Sequence, residues 1–490
     1  MTLASSDMAS TARPFLIECP ELASRRFSMP ADNRIADLFA CPRCDKTPLS
    51  EKNGGYRCSA CKVDYASVGD IPWLFAEPDA TLGEWRNRLH FSLQQLSNES
   101  QRMQAELAAD NIGALTRKRL ERQVCAVDEH RNMLRKILEP IDMQSMQASH
   151  ESYLALRTRL PIDQGIQTYY ANIHRDWCWG DTENEASINE IKAIVSEGDG
   201  DNRALGDTLI LGAGAGRLAY DIHMQLGTER TIAMDFNPLL VLVAKSVMQG
   251  DEPELYEFPL APKTLEDFAV LRKLSAPEPV REDFHLVFGD ALRPPFAPAS
   301  FNTVVTPWII DIVNEALPIQ AARINRLLKP QGRWINFGSL AFDHPVRAHR
   351  YSAEETLAIV QEAGFAPPHT REQSIPYMCS PASRHGRQET VFTFSATKTG
   401  DVDAPARHKA LPDWIVTGKA PVPLLKSFRS QALSTQIYSY IMSLIDGKRT
   451  IADMAMMLEQ QKLMTHQEAE PAIRTFLTRM YDDSQRNSGF

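Results

Sequence analysis

The stretch "LILGAGAGRLAYDIH" (Leu209–His223) decides the fold. An apolar run with the character of a buried strand meets three glycines at alternate positions, Gly212, Gly214 and Gly216, and a helical pattern follows. A strand that ends in closely spaced glycines leaves room for a ligand to approach the backbone and turns free N–H groups outward. In a doubly wound sheet such a turn lies at the carboxyl ends of the strands, where ligands bind. Alone, it suits a nicotinamide cofactor, a flavin or S-adenosylmethionine.

The flanking sequence narrows that choice. From about 151 to 398, candidate strands "DTLILG", "RTIAMDF", "FHLVFGD", "FNTVVTPWII", "GRWINFGS" and "TVFTFSATK" are separated in several places by helical patterns such as "NEALPIQAARINRLL" and "SAEETLAIVQEAG". This alternation predicts an α/β fold, a Rossmann-like, mostly parallel doubly wound sheet. Asp235 ends the second strand, where a carboxylate can accept from two ribose hydroxyls of either NAD or S-adenosylmethionine. Asp290 ends the third, and with the small Ala291 beside it suits an adenine amino group. The fourth strand leads to Asp311, and "LLKPQGRWIN" gives a helix stop, a turn and a fifth strand. The ordered series is typical of class I methyltransferases and points to S-adenosylmethionine as the cofactor.

The segments "YYANIHRDWCWGDTENEASINEI", "LGAGAGRLAYDI" and "WIIDIVNEALPIQAARINRLLKPQGRWINFGSLAFDH" together resemble the carnosine N-methyltransferase family over roughly residues 150–398. The resemblance implies methyl transfer to an imidazole nitrogen of a histidine-containing small molecule or peptide. Such a ring attacks only through a free lone pair, and a carboxylate that holds the other ring N–H fixes the tautomer and steadies the cation that forms. Asp311 stands at the family's acidic position, with a cap for the next helix as its plain structural alternative. Arg175 of the "RDW" tripeptide is a candidate for the cofactor carboxylate; its alternative is a salt bridge with Asp176 or a neighbouring acid. Trp177, Tyr169 and Tyr170 wall the pocket or belong to the core. The family carries a histidine soon after "WINxG". Here Asp343 takes the matching place and His344, the second catalytic candidate, is shifted by one position. The family's aromatic residues ahead of the last strand are replaced by "RHGRQE" (384–389), which favours a histidine compound or peptide other than carnosine.

The outer segments carry their own signals. Residues 1–37 read as a lead-in. Residues 38–78 hold two CxxC knuckles, Cys41/Cys44 and Cys58/Cys61, which present four thiolates for a closed tetrahedral structural zinc. This ribbon, with its tail "DYASVGDIPWLF", resembles the zinc-ribbon partner proteins that activate some RNA and protein methyltransferases, which implies docking or stabilisation. Residues 84–150 show helical spacing and predict two or three long amphipathic helices. After a proline-rich linker, 399–420, residues 421–485 read as short helices, with "LIDGKRTIADMA" placing a glycine stop and then a Thr cap. This module resembles winged-helix modules that bind leader peptides, and so implies a peptide or protein partner; a plain helical bundle is the alternative.

The chain has 490 residues, with 53 Lys and Arg against 62 Asp and Glu and a formal net charge of −9. Such a balance argues against a nucleic-acid scaffold. No apolar run is long enough to span a membrane, and the N-terminus lacks a signal-peptide pattern, so a cytoplasmic location is expected. Two other functions compete: a methyltransferase whose acceptor is a carboxylate, amine or thiol, and a non-catalytic adaptor built from the ribbon and the C-terminal module. The intact series Gly214, Asp235 and Asp290 argues against the adaptor.

Overall fold

The computed structural model describes residues 33–109, 111–141, 165–198, 204–405 and 421–488. The expectations for residues 1–32, for the junction at 142–164 and for the linker beyond 405 lie outside the described residues.

Three short strands, β1 (Ser50–Lys52), β2 (Gly55–Arg57) and β3 (Asp64–Tyr65), form an antiparallel sheet around the four cysteines. Next come β4 (Ser67–Val68) and β5 (Ile71–Leu74), then two long helices, α1 (Pro78–Leu107) and α2 (Ala114–Ile137). Their buried stripe includes Trp85, Leu89, Leu93, Leu120 and Leu134, which accounts for the helical spacing in the sequence.

Helix α3 (Asp181–Gly198) leads into the central sheet, which runs through β6 (Gly206–Leu211), α4 (Arg217–Gln225), β7 (Thr228–Asp235) and α5 (Pro238–Met248). An insertion adds the hairpin β8 (Glu254–Glu257) and β9 (Val270–Lys273). Then follow β10 (Phe284–Gly289), β11 (Phe301–Pro307), α6 (Leu317–Leu327), β12 (Leu328–Gly338), α7 (Ala353–Glu362), β13 (His369–Tyr377) and β14 (Arg387–Thr397). The nine-stranded sheet has the order β13-β14-β12-β11-β6-β7-β10-β5-β4. Strands β10, β7, β6, β11 and β12 are mutually parallel; beyond them β14 runs antiparallel to β12, and β13 antiparallel to β14. The chain moves outward from β6 on one side and returns to β11 on the other, so the switch point lies between β6 and β11, at the glycine turn. Buried apolar runs such as Leu209–Leu211 and Ile232–Met234 match strands covered on both faces.

Two features depart from the expectations. Strand β13 has no counterpart among the expected strands. It is a largely exposed edge strand, and its polar residues carry no alternation to read. The tail of the ribbon is also more than a tail, because β5 pairs in parallel with β10 and extends the central sheet.

In the C-terminal module, α8 (Lys426–Ser443), α9 (Ile451–Gln460) and α10 (His466–Ser488) pack around Ile441, Leu444, Met454, Leu458 and Ile473. Gly447 is left-handed, and Thr450 caps α9 in a reciprocal box with Asp453. Residues 421–488 contain no strand, so the described module is helical and lacks a β-wing. Among the described residues, no helix is long and apolar enough to cross a membrane.

Because this module has a core of its own, a chain ending at Pro405 should fold and bind S-adenosylhomocysteine within about twofold of the full chain, as measured by calorimetry. Loss of binding would make the module part of the catalytic core.

Candidate functional site

The site is assembled where β6, β7, β10, β11 and β12 end. After β6 the chain makes its glycine turn, with Gly212, Gly214 and Gly216 all at positive φ (73°, 59° and 89°). A Cβ on Gly216 would stand 2.7 Å from the Met248 side chain of α5, so this glycine lets the two helices close. A Cβ on Gly214 would meet nothing within 4 Å, and the open side of the turn is therefore the side a ligand can approach.

Asp235, buried at the end of β7, closes this turn. Its Oδ2 accepts from the Gly214 N–H at 2.8 Å and its Oδ1 from the Asn237 N–H at 2.9 Å. Burial raises its pKa to about 6, against the pull of the Asn237, Gly214 and Phe236 N–H groups. A carboxylate has about four acceptor sites, so these N–H groups leave it acceptor capacity for a ligand. Asp290 follows β10, and its Oδ1 accepts from the Leu292 N–H at 2.8 Å. Burial raises its pKa too, offset by that N–H and by the charges of Arg323 and Arg293. Ala291 lines a small, mainly apolar cavity with Leu211, Ile309 and Ile310, beside the Arg323–Glu315 ion pair.

The "RDW" segment lies across the glycine turn as a π-type turn, Arg175–Trp179. The Trp177 indole donates to the Ala215 carbonyl at 2.8 Å, and Asp176 accepts from the Arg217 N–H at 3.4 Å. Trp177 is buried and belongs to the core, and the partly buried Tyr170 packs against that core, its hydroxyl donating to the Tyr256 carbonyl at 2.6 Å. Tyr169 is 41% exposed, and partial burial of its phenol, with the negative charges of Tyr377, Asp235 and Asp311, raises its pKa. Arg175 is held by Asp176 at 2.7 Å and Glu183 at 3.3 Å, with its guanidinium 5.9 Å from the Tyr377 ring. It faces Tyr377 with its charge already balanced, which is the salt-bridge alternative for this residue.

Asp311 is buried in the loop after β11. Its Oδ2 accepts from the Ser339 hydroxyl at 3.1 Å and the Ala341 N–H at 2.8 Å, so it ties the loops after β11 and β12 together. It does not cap α6, which begins at Leu317 after an Ala316 cap. His344 lies in the loop that Asp311 anchors, but its partners are local. Its Nδ1 accepts from the Val346 N–H at 3.0 Å, and its ring packs on His349 at 4.6 Å. The structure thus brings the glycines, Asp235, Asp290 and Asp311 to one end of the sheet, and shows no contact between His344 and Asp311.

Three site residues escaped the sequence reading. Trp308 follows β11 at φ 52°, a strained conformation for a bulky side chain, and its N–H donates to the Phe337 carbonyl at 2.7 Å. Its ring lies 5.1 Å from that of Tyr377, at the end of β13. Glu183 accepts from the Met378 N–H at 2.8 Å and so fixes the backbone next to Tyr377. Aromatic rings are therefore present ahead of the last strand, and the "RHGRQE" segment adds to them: Arg387 lies 4.6 Å over Tyr377. Trp308 stands in the quoted "TPWIID", but nothing in that string signals its backbone angle.

At the other end of the chain, the four thiols of Cys41, Cys44, Cys58 and Cys61 lie within 4.8 Å of one another. The pairs Cys41–Cys61 and Cys44–Cys58 stand at 3.5 Å, far longer than a disulfide and close to the roughly 3.8 Å edge of a tetrahedron with metal–sulfur bonds of about 2.3 Å. Burial raises the Cys58 thiol, but the Cys61 and Ala60 N–H groups and the other thiols outweigh it and bring the pKa down to about 7.

Comparison with known proteins locates this site in a family. Residues 164–398, about half of the chain, match the family model described as carnosine N-methyltransferase. Similar solved structures include the N-methyltransferase NodS from Bradyrhizobium japonicum WM9 in complex with S-adenosyl-L-homocysteine. It is 12% identical, with a TM-score of 0.32, over 48% of this chain and 98% of that one. The YcgJ protein from Bacillus subtilis is 15% identical, with a TM-score of 0.30, over 44% and 99% of the two chains. An S-adenosylmethionine-dependent methyltransferase from Thermotoga maritima is 14% identical, with a TM-score of 0.29, over 48% and 99%. No curated protein matches the chain.

If Asp235 accepts from the ribose hydroxyls of the cofactor, binding favours loss of its proton. The affinity for S-adenosylhomocysteine should be constant above pH 7 and weaken several-fold as the pH falls from 6.5 to 5, through the pKa of about 6. Asp235→Ala should weaken binding about tenfold to a hundredfold, since a charged hydrogen-bond partner contributes about 1.5–3 kcal/mol, and should flatten the pH profile. Calorimetry across this range checks both; unchanged affinity in the variant would remove Asp235 from the ribose site.

Proposed function

We propose that this S-adenosylmethionine-dependent methyltransferase acts on the imidazole of a histidine-containing small molecule or peptide, a reading supported by the match of residues 164–398 to the carnosine N-methyltransferase family model. The observation that carries this reading is the Asp311 carboxylate. The loop after β12 holds its Oδ2, which leaves Oδ1 to accept a ring N–H.

S-adenosylmethionine supplies an already activated sulfonium methyl, so the work of the chain is to position the two reactants. The glycine turn receives the amino-acid part of the cofactor, Asp235 its ribose, and Asp290 with Ala291 its adenine. On the acceptor side, Asp311 accepts the N–H of one ring nitrogen and thereby leaves the lone pair of the other free. Attack moves that lone pair into the new N–CH3 bond while the S–CH3 electrons stay on sulfur. The ring becomes cationic, and the Asp311 carboxylate balances the charge and is placed to take the remaining N–H proton. The ring of Trp308, 5.1 Å from that of Tyr377, offers the same cation an aromatic wall. A peptide acceptor would use the C-terminal module for capture.

We read the four thiols as a closed structural zinc site. Their spacing supports this, and four thiolates leave no open position for chemistry.

The acceptor role is tested by Asp311→Asn. An amide keeps the shape and can still accept from Ser339 and Ala341, so fold and cofactor affinity should hold. Turnover should fall roughly a hundredfold or more at saturating cofactor, because the amide can favour the wrong tautomer and does not balance the cation. Near-normal turnover with a histidine compound would point to a different acceptor chemistry.

A further inference from the structure

Two stretches of the cysteine ribbon grip the loop that follows Asp290. On one side, the Ala40 N–H donates to the Pro295 carbonyl at 2.9 Å and the Ala297 N–H to the Leu38 carbonyl at 2.8 Å. Between them the buried rings of Phe39 and Phe296 meet at 5.9 Å. Ala40 is the residue before the first cysteine, and the knuckle turns at once, with the Asp45 N–H donating to the Cys41 carbonyl at 2.8 Å. On the other side, β5 pairs Trp73 with Phe288 and Leu74 with Gly289, directly ahead of Asp290. The Trp73 and Phe288 rings stand 5.0 Å apart. The loop 290–297 is thus fastened at both ends to the segment that carries the thiols.

A line of charge runs alongside. Arg43, inside the first knuckle between Cys41 and Cys44, donates to the Ala76 carbonyl at 3.2 Å and pairs with the Glu77 carboxylate. Glu77 is buried at the start of α1. Burial raises its pKa to about 7 while Arg43 and Arg293 pull it back. Arg293, within the loop, acts in the same direction on Asp290. The Arg43–Glu77 pair therefore ties the first knuckle to the start of α1, and the charge of Arg293 in the loop acts on both Glu77 and Asp290.

We infer that the four-thiol ribbon, with its metal bound, fixes the loop 290–297 in the position that receives adenine, so that metal occupancy and cofactor affinity are coupled. This rests on the readings of the thiols as a zinc site and of Asp290 as the adenine acid. Without the metal the two knuckles lose their common centre, and Ala40 and Leu38 no longer offer the loop a rigid edge. Linkage makes the effect reciprocal: if zinc tightens the cofactor, the cofactor tightens zinc by the same factor.

The experiment uses the full chain. Zinc content is measured on protein purified without added metal. Zinc affinity is then measured by competition with the chromogenic chelator pyridylazoresorcinol, with and without saturating S-adenosylhomocysteine. S-adenosylhomocysteine affinity is measured by calorimetry for the wild type, Arg43→Met and Asp290→Asn. The inference expects one zinc per chain, and zinc bound about fivefold or more tightly when S-adenosylhomocysteine is present, the lower end of usual coupling. Arg43→Met should keep its zinc yet bind S-adenosylhomocysteine about fivefold more weakly. Should that variant fail to fold, the wild-type zinc competition still decides. Zinc that is present but indifferent to S-adenosylhomocysteine would overturn the coupling and leave the zinc site standing. Metal-free protein that binds S-adenosylhomocysteine normally would overturn the zinc reading itself. Unchanged affinity in Asp290→Asn would overturn the adenine assignment.

Discussion

The carboxylate of Asp235 sits at the end of a buried strand and spends one oxygen on the Gly214 N–H and the other on Asn237. This arrangement fixes the turn between β6 and α4 against the end of β7. Three left-handed residues in five positions would otherwise leave a loose loop, because glycine loses more conformational freedom on folding than any other residue. Burial opposes ionisation here, so the apo protein holds a carboxylate that gains from further hydrogen-bond donors. A ligand that brings hydroxyl donors to this strand end would meet a carboxylate already fixed in place.

The other parts of the site are arranged around that fixed turn. The "RDW" segment is fastened to it through Trp177 and Asp176, and carries Arg175 toward Tyr377. Asp311 joins the loops after β11 and β12 through its Oδ2, which braces the side of the site proposed for the acceptor. On the far side the cysteine ribbon extends the sheet through β5 and grips the Asp290 loop. The three-stranded ribbon sheet stays separate, but β4 and β5, which follow it directly in the chain, are part of the central sheet.

What could be read from the sequence follows the range of the interactions involved. The glycine turn, Asp235, Asp290 and Asp311 are legible because each marks the end of an apolar strand, a pattern contained in ten or so residues. The four cysteines are legible because ligand spacing is local. The pairing of β5 with β10 was hidden, since it joins Trp73 to Phe288 across more than two hundred residues and β5 is four residues long with a proline inside. The Tyr377 position was hidden because β13 is an exposed edge strand whose polar residues show no alternation. Trp308 was hidden by its backbone, as no residue type announces a positive φ in tryptophan. For Arg175 both readings were open, and only the geometry reveals two carboxylates against its guanidinium. His344 is a candidate only because it falls one position from the family's histidine, and its ring packs on His349.

The claim that the chain methylates a ring nitrogen is tested most directly by following an isotope-labelled methyl group. The protein is incubated with methyl-labelled S-adenosylmethionine and a panel of histidine-containing compounds and peptides, and the labelled product is identified by magnetic resonance. The account predicts a label on an imidazole nitrogen, seen as a methyl signal correlated with the ring carbons on either side of that nitrogen. A label found on a carboxylate, an amine or a thiol, with the ring untouched, would contradict it.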